Sequence, residues 1–534
     1  MSVRTPSTCF TGALLIMSLV ALPAMAQVSM HKVEVVGTRG ILHRAPQTTE
    51  DPVTPSPGEQ KLKEVAERLD KAGLLYTGKV VTDKDAALLK PPAVVAGFEG
   101  ADYTLAKEPP TIEFGVIPVT PLFLNESPVK SKSDKSNEPT PWANWGQAAF
   151  DTRTGKFYGS IGDDGKYDAR ILLVEYDPAT KVIKCLPEVN KLLGRTKTHF
   201  GDGKIHGWLD WYQSKDLDTP HLWFCTYWTK YTEPDDEDFE TGYNGGHIMS
   251  CDVITGDMVD YGAPVKRSAW PYHRVDTKRG ILYAVGMFGE FLAWDINSQT
   301  TLWAGYLPKG MGWWERALLL DETTGMVYTS NRDTEADPEQ HLIKYDPHRN
   351  RFTKLECHVP MTTGQASGKG QPGAYSAMRA QTRHRGTDGL FWCVTNGGQL
   401  FTFDPDKEVI EDKGPNWPGE QRYTASMERS PGGRYLYYMP GAHGHGYSDG
   451  SPLVQYDTQT GKMKVLAFFF PYYYEKYGYT AGGTFSIVLD QRGESLFIVW
   501  NGAFIENSGN VAGGDTFGQC AISLVHIPES ERQE

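Results

Sequence analysis

Six short stretches gather residue types that bind anions and sugar rings. They are Trp142-Ala143-Asn144-Trp145-Gly146-Gln147, Lys204-Ile205-His206-Gly207-Trp208, Trp270-Pro271-Tyr272-His273-Arg274, Trp313-Trp314-Glu315-Arg316, Tyr375-Ser376-Ala377-Met378-Arg379 and Arg422-Tyr423-Thr424-Ala425-Ser426. Arginine presents a planar fork of donors that matches a carboxylate or sulfate, so Arg274, Arg316 and Arg379 are candidate anion holders. The flat faces of Trp145, Trp208, Trp314 and Tyr423 suit the apolar faces of sugars. His206 and His273 can exchange a proton near neutral pH, and Tyr272 and Arg274 flank the second of them. His443-Gly444-His445 is a separate signal: in an extended segment, residues two apart face one side, which suits a metal. A single divalent ion (Mn, Ca or Zn) is the cofactor such a pair would take. The acidic run Asp235–Asp238 reads as a solvated loop, with Ca²⁺ binding as the alternative. No GxSxG elbow, P-loop or HExxH motif occurs.

The elements that must position these residues recur along the chain. An apolar strand ends on an Asp and a turn at Asp177, Asp252, Asp295, Asp346, Asp404 and Asp457, and a degenerate copy ends at His526. The spacing runs from 43 residues (Asp252 to Asp295) to 75 (Asp177 to Asp252). Asp favours such a position because its carboxylate can bond its own backbone through the turn. Another hairpin precedes each copy, so the unit is four short antiparallel strands, and seven units predict an all-β, seven-bladed β-propeller. The last unit lacks a fourth strand, which Thr111–Val119 would supply, closing the ring and removing its free edges. The six polar stretches then fall at the starts of the innermost strands. Three long connections, 229–246, 441–451 and 501–519, would open on that same face. Arg and aromatic side chains also tie neighbouring blades together, so each named residue has a structural reading beside the functional one.

Three segments are expected outside a simple ring. Residues 1–26 carry Arg4, an apolar run from Gly12 to Leu22 and Ala24-Met25-Ala26, the layout of a cleaved signal peptide. The mature protein would be periplasmic or secreted. Residues 27–110 form an extension with one helix, spaced by Leu62, Val65, Leu69 and Leu74, that packs on the ring of residues 111–530. Asn125–Pro141 reads as a surface loop. The 534 residues carry 53 Lys+Arg against 66 Asp+Glu, a formal charge of −13, which argues against a general nucleic-acid partner. No later stretch reaches the length of a membrane-spanning helix. A monomer or small homo-oligomer is expected. Six scattered cysteines (Cys185, Cys225, Cys251, Cys357, Cys393 and Cys520) form no CxxC pair and read as core residues.

On blade count, export signal and the His/Tyr/Arg-rich strand starts, residues 111–528 resemble the seven-bladed propeller polysaccharide lyases, such as ulvan lyases and oligogalacturonate lyase, and more loosely the streptogramin lyases. The resemblance implies β-elimination on an anionic, uronate-containing oligo- or polysaccharide. It makes His206 or His273 the base, Tyr272 or Tyr243 the acid, and Arg274, Arg316 and Arg379 the holders of the carboxylate. The oligogalacturonate lyase type binds a metal through several His, of which His443 and His445 are a partial counterpart. Two other classes use the same rim: a non-catalytic propeller that binds a glycan or peptide, and a redox propeller using a metal or quinone.

Overall fold

A computed structural model of the chain describes residues 33–46, 57–120, 142–163, 167, 169–195, 199–228, 233–313, 316–331, 337–361, 377–504 and 516–533. The expected signal peptide and the Asn125–Pro141 loop lie outside the described residues. Seven antiparallel blades follow one another around a ring. Their innermost strands are Ala149–Asp151, Asp210–Tyr212, Tyr272–Asp276, Leu319–Asp321, Met378–Gln381, Met427–Arg429 and Tyr479–Leu489.

The Asp markers do what the sequence asks of them. Asp177, Asp295, Asp346, Asp404 and Asp457 are the last residues of third strands, and Asp252 follows one. Each carboxylate accepts a backbone N–H two or three residues on, for example Ala179 at 2.9 Å, Ser298 at 2.7 Å and Asp406 at 3.0 Å. His526, the degenerate copy, also ends its strand, but its ring meets Ser495 Oγ at 3.1 Å instead.

The ring closes as expected. Thr111–Val116 pairs antiparallel with Ala521–His526 in the register Thr111↔His526 to Val116↔Ala521. Buried Glu113 of the closing strand meets His526 Nε2 and Lys181 Nζ, each at 3.3 Å, and accepts the Tyr176 hydroxyl. The N-terminal strand, the C-terminal strand and blade one are thereby tied at one carboxylate.

The extension does more than pack. Its helix, Pro57–Leu69, rests Leu62, Val65 and Leu69 on a core that includes Tyr472, Tyr473, Tyr477 and Trp500. Around it, Ile41–His43, Val81–Asp83 and Tyr103–Leu105 add edge strands to blades two, seven and six. Such additions cover ladder edges that would otherwise recruit other chains. Every cysteine past residue 32 is free: four are buried, while Cys185 and Cys357 are half-buried. Burial pushes the Cys357 thiol up to about 11, which keeps it un-ionised and unreactive at neutral pH. No helix among the described residues is long and apolar enough to cross a membrane.

Candidate functional site

The axial channel is built in layers, because successive residues of each inner strand descend it two by two. The upper layer comes from residues just before, or at the start of, those strands. Trp145 of blade one stacks parallel to the His206 ring of blade two, 6.4 Å and 12° apart. Phe485 of blade seven packs edge-on against Trp145 at 5.1 Å, and Phe517 tilts against it at 5.4 Å. The Lys204 ammonium sits 3.7 Å from the Trp145 ring centre, well within cation–π range. Across the opening, Arg379 of blade five donates from Nε to the Tyr423 hydroxyl at 2.5 Å and lies 5.1 Å from the Phe485 ring. Its Nη1 reaches the Arg316 carbonyl at 3.5 Å, which draws blade four into the same layer.

Local chain geometry explains why these residues converge. Asn144 and Asn501 exchange two bonds, Asn144 N–H to Asn501 Oδ1 at 2.6 Å and Asn501 Nδ2 to the Asn144 carbonyl at 3.1 Å. The pair fixes Trp145 across the seam between blades one and seven. Phe485 is re-aimed by register shifts between Ala481 and Ser486 in its strand, the usual effect of a bulge. Gly483 permits this: its φ is +148°, and a Cβ there would lie 2.2 Å from the Gly441 carbonyl oxygen.

Several buried polar atoms of this layer have no hydrogen-bond partner among the described residues: His206 Nδ1, Trp145 Nε1 and Arg379 Nη2. Native interiors rarely leave such atoms unsatisfied without a ligand or water to meet them. His206 bonds the Pro271 backbone, and proline has only a carbonyl to offer, so the ring donates there. The open Nδ1 then carries the lone pair. Burial, followed by the charges of Arg316, Arg379 and Lys204, holds His206 well below the usual histidine range, so it is neutral at neutral pH.

Lower in the channel most of the polar groups bond one another, although Gln381 Oε1 and Glu428 Oε1 have no partner among the described residues. Trp208 Nε1 and Gln381 Nε2 both donate to the Tyr272 oxygen, at 2.5 and 2.8 Å. Below them Asp210 accepts from Arg274 Nε at 3.3 Å, the Val275 N–H at 3.0 Å and Arg383 Nη1 at 3.0 Å. Arg383 also donates to the carbonyls of Leu209 and Ala148, at 3.3 and 2.6 Å, so one side chain spans from blade five to blades one and two. Both guanidinium groups cover the Trp208 ring, at 4.7 and 4.3 Å. Burial works against the Asp210 charge, but the two arginines hold its carboxyl below the usual range. Glu428 behaves oppositely: burial pushes it up to about 7, with Arg383 and Arg274 only partly offsetting this. This layer is a plug beneath the upper one, whose Trp145, Tyr423, Phe485 and Phe517 are themselves buried against one another.

The thirteen residues expected to form a site therefore separate. His206, Arg316, Arg379, Trp145 and Tyr423 meet at the mouth, with His443 over it. Tyr272, Arg274 and Trp208 belong to the plug, where Trp208 bonds Tyr272 and Arg274 bonds Asp210. His273 alternates away from Tyr272 into the blade interior. Its Nε2 accepts the Cys225 N–H at 3.3 Å, and its Nδ1 would lie 2.2 Å from a Cβ on Gly207, so the glycine makes room for it. Burial lowers His273 to about 4. Tyr243 sits in another aromatic cluster with Phe200 and Trp228 and donates to Asp202 at 2.5 Å. Burial and then the Asp202 charge push its phenol well up. Trp314 lies outside the described residues.

The His443 ring packs edge-on against Trp145, Tyr423 and Phe485 at 5.6–5.7 Å. His445 precedes the short turn of helix Gly446–Asp449. Among the described residues no group of three or more His, Cys, Asp or Glu side chains is placed to hold a metal. Sequence reasoning passed over Phe485, Phe517, Arg383 and Glu428. A clue to the first was Gly482-Gly483 inside an apolar strand, a sign of a bulge.

Fold and site together define a seven-bladed β-propeller with a cationic, aromatic mouth. No family model and no curated protein matches the sequence. Solved structures that share its outline include a chain of a mitotic checkpoint complex, at 8% identity and a TM-score of 0.42 over 76% of this chain and 96% of that one. Raptor of Chaetomium thermophilum matches at 11% and 0.41 (74% of this chain, 29% of that one), and U3-55K at 8% and 0.42 (73% and 100%). Likenesses at this level carry no argument about activity.

Proposed function

We propose that this chain is a polysaccharide lyase that binds a uronate residue at the mouth and cleaves its glycosidic bond by β-elimination. The observation that carries the reading is His206: a buried, neutral imidazole with an open Nδ1 beside a guanidinium whose Nη2 is uncommitted. A proton next to a carboxylate is hard to remove, because the carbanion adds charge to a group already negative. Arg379, with Arg316 and Lys204, supplies the compensating charge in a site sheltered from water, where it acts most strongly. Seating the carboxylate there also offsets the cations that depress His206, so substrate makes the base stronger as it binds.

His206 Nδ1 then takes the C5 proton, the C5 electron pair forms the C4–C5 double bond, and the C4–O bond breaks. Tyr423 is the acid at the leaving oxygen, since its hydroxyl oxygen accepts from Arg379 and keeps its own proton to donate. Trp145 stacks on the sugar. This reading replaces Tyr272 and Tyr243 as acid, because each is already engaged and buried away from the mouth.

The test is to incubate the protein with polygalacturonate, alginate and ulvan and follow the ultraviolet absorbance of the unsaturated uronate. Product formed by the unaltered protein and lost in His206→Ala supports the reading. Binding without product would make this a glycan-binding propeller, and neither across the panel would remove the uronate reading.

A further inference from the structure

The mouth loop Gly441–Ser451 has two sides. On the inner side His443 meets the mouth rings, as described above. Four residues on, Tyr447 lies edge-on to Phe470 at 5.8 Å and 69°, and Phe470 tilts against Tyr474 at 6.1 Å and 48°. All three rings are half-buried. The Phe470 N–H donates to the Gly450 carbonyl at 3.1 Å, and the Phe469 N–H to Ser451 at 3.4 Å. The strip therefore lies on the same face as the mouth and is joined to it by one loop. Four residues of chain reach at most about 14 Å, a span that a short run of sugar units covers.

The composition of the strip is not explained by the core. Helix Tyr472–Tyr477 turns Tyr472, Tyr473 and Tyr477 inward, where they pack with Phe114, Phe469 and Trp500. Tyr474 lies on the outward side with exposed Glu475 and Lys476. Exposed Lys71 places its ammonium 5.4 Å from the Tyr474 ring centre, adding a cation to an aromatic surface. Aromatic faces beside a fixed positive charge suit a chain of acidic sugars, as they do at the mouth.

We propose that Tyr447, Phe470, Tyr474 and Lys71 form a second carbohydrate subsite, which holds the acidic glycan as it leaves the mouth. The inference rests on the reading of the mouth and sharpens it: the preferred substrate is a polymer long enough to bridge both. The test uses the full chain with polygalacturonate, alginate and ulvan, and with the shortest oligosaccharide of whichever polymer it uses. The Tyr447→Ala/Tyr474→Ala double variant raises KM, or the Kd where no cleavage occurs, for the polymer roughly tenfold. It leaves kcat on the polymer and both parameters on the short oligosaccharide unchanged. Lys71→Ala, a surface change that cannot unfold the ring, gives a smaller rise in the same direction. A folded double variant with unaltered polymer KM or Kd overturns the subsite while the mouth stands. Failure of the unaltered protein to bind or cleave any of the polymers overturns both.

Discussion

The two halves of the channel are made from the same kinds of residue and are put to opposite uses. The mouth has Trp145, His206 and Arg379; the plug has Trp208, Tyr272, Arg274 and Arg383. In the plug the arginines meet Asp210 and backbone carbonyls, and the Trp208 indole N–H and Tyr272 oxygen meet each other. At the mouth, an indole N–H, an imidazole nitrogen and a guanidinium nitrogen are buried and left open. Residue type is shared by the two layers, and they differ in how their tryptophans, tyrosines and arginines are bonded. Burying open polar atoms costs stability, and both halves carry some, since Gln381 Oε1 and Glu428 Oε1 in the plug are open as well.

The sharpest way to break this comparison is to remove one group from each half. His206→Ala or Arg379→Ala is expected to lower turnover of an acidic polysaccharide by roughly 10²–10⁴-fold per folded molecule. Arg383→Ala reverses the pattern. Leaving Asp210 with one guanidinium fewer in the interior destabilises the ring by about 3–5 kcal/mol in chemical denaturation, while the folded fraction keeps its activity. Equal loss of activity per folded molecule in both variants would erase the distinction.

The plug also makes a pH prediction. Folded Glu428 keeps its proton up to about pH 7, whereas the unfolded chain releases it from about 4.5. Between those values the folded state holds more protons, so this group makes stability fall as pH rises. Glu428→Gln mimics the protonated form, and it should stabilise the protein at pH 8 relative to pH 4.5 by at most about 3 kcal/mol. A stability difference between variant and parent that is the same at both pH values would refute this. His273 acts in the opposite sense, because folding keeps it neutral down to about 4 while the unfolded chain binds a proton below 6.5. Its contribution makes stability fall as pH falls from 6.5 to 4, so the Glu428→Gln variant should show a steeper acid loss than the parent.

The smallest expected effect concerns Tyr243. Tyr243→Phe removes the bond to Asp202 and should cost about 1 kcal/mol, with product formation unaffected. A variant that folds normally but loses activity would return Tyr243 to the reaction.

Much of the ring was legible in the chain because the signals are local. A strand ending in Asp and a turn closes its own hydrogen bond within three residues, so Asp177 and Asp404 report their geometry without help from elsewhere. The missing fourth strand and the TIEFGV segment that fills it follow from counting. The added edge strands at Ile41–His43 and Tyr103–Leu105 were not legible, because three residues paired to a blade hundreds of positions away leave no periodic trace.

The candidate site divides the same way. His206 and Arg379 stand out by type and by place in the repeat, but so do His273 and Arg274. Which of them faces an opening depends on partners contributed by other blades. Asp210 and Arg383, 173 residues apart, neutralise and cover one group, and the bulge at Gly483 brings Phe485 to frame the other. The sequence by itself determined the repeat, the closing strand and the chemistry available on the axis, since each is encoded within a few consecutive residues. Tertiary structure alone decided which of those groups are joined to one another and which keep an open hydrogen-bonding atom, because burial and hydrogen bonding are properties of neighbours the chain brings together only when the ring closes.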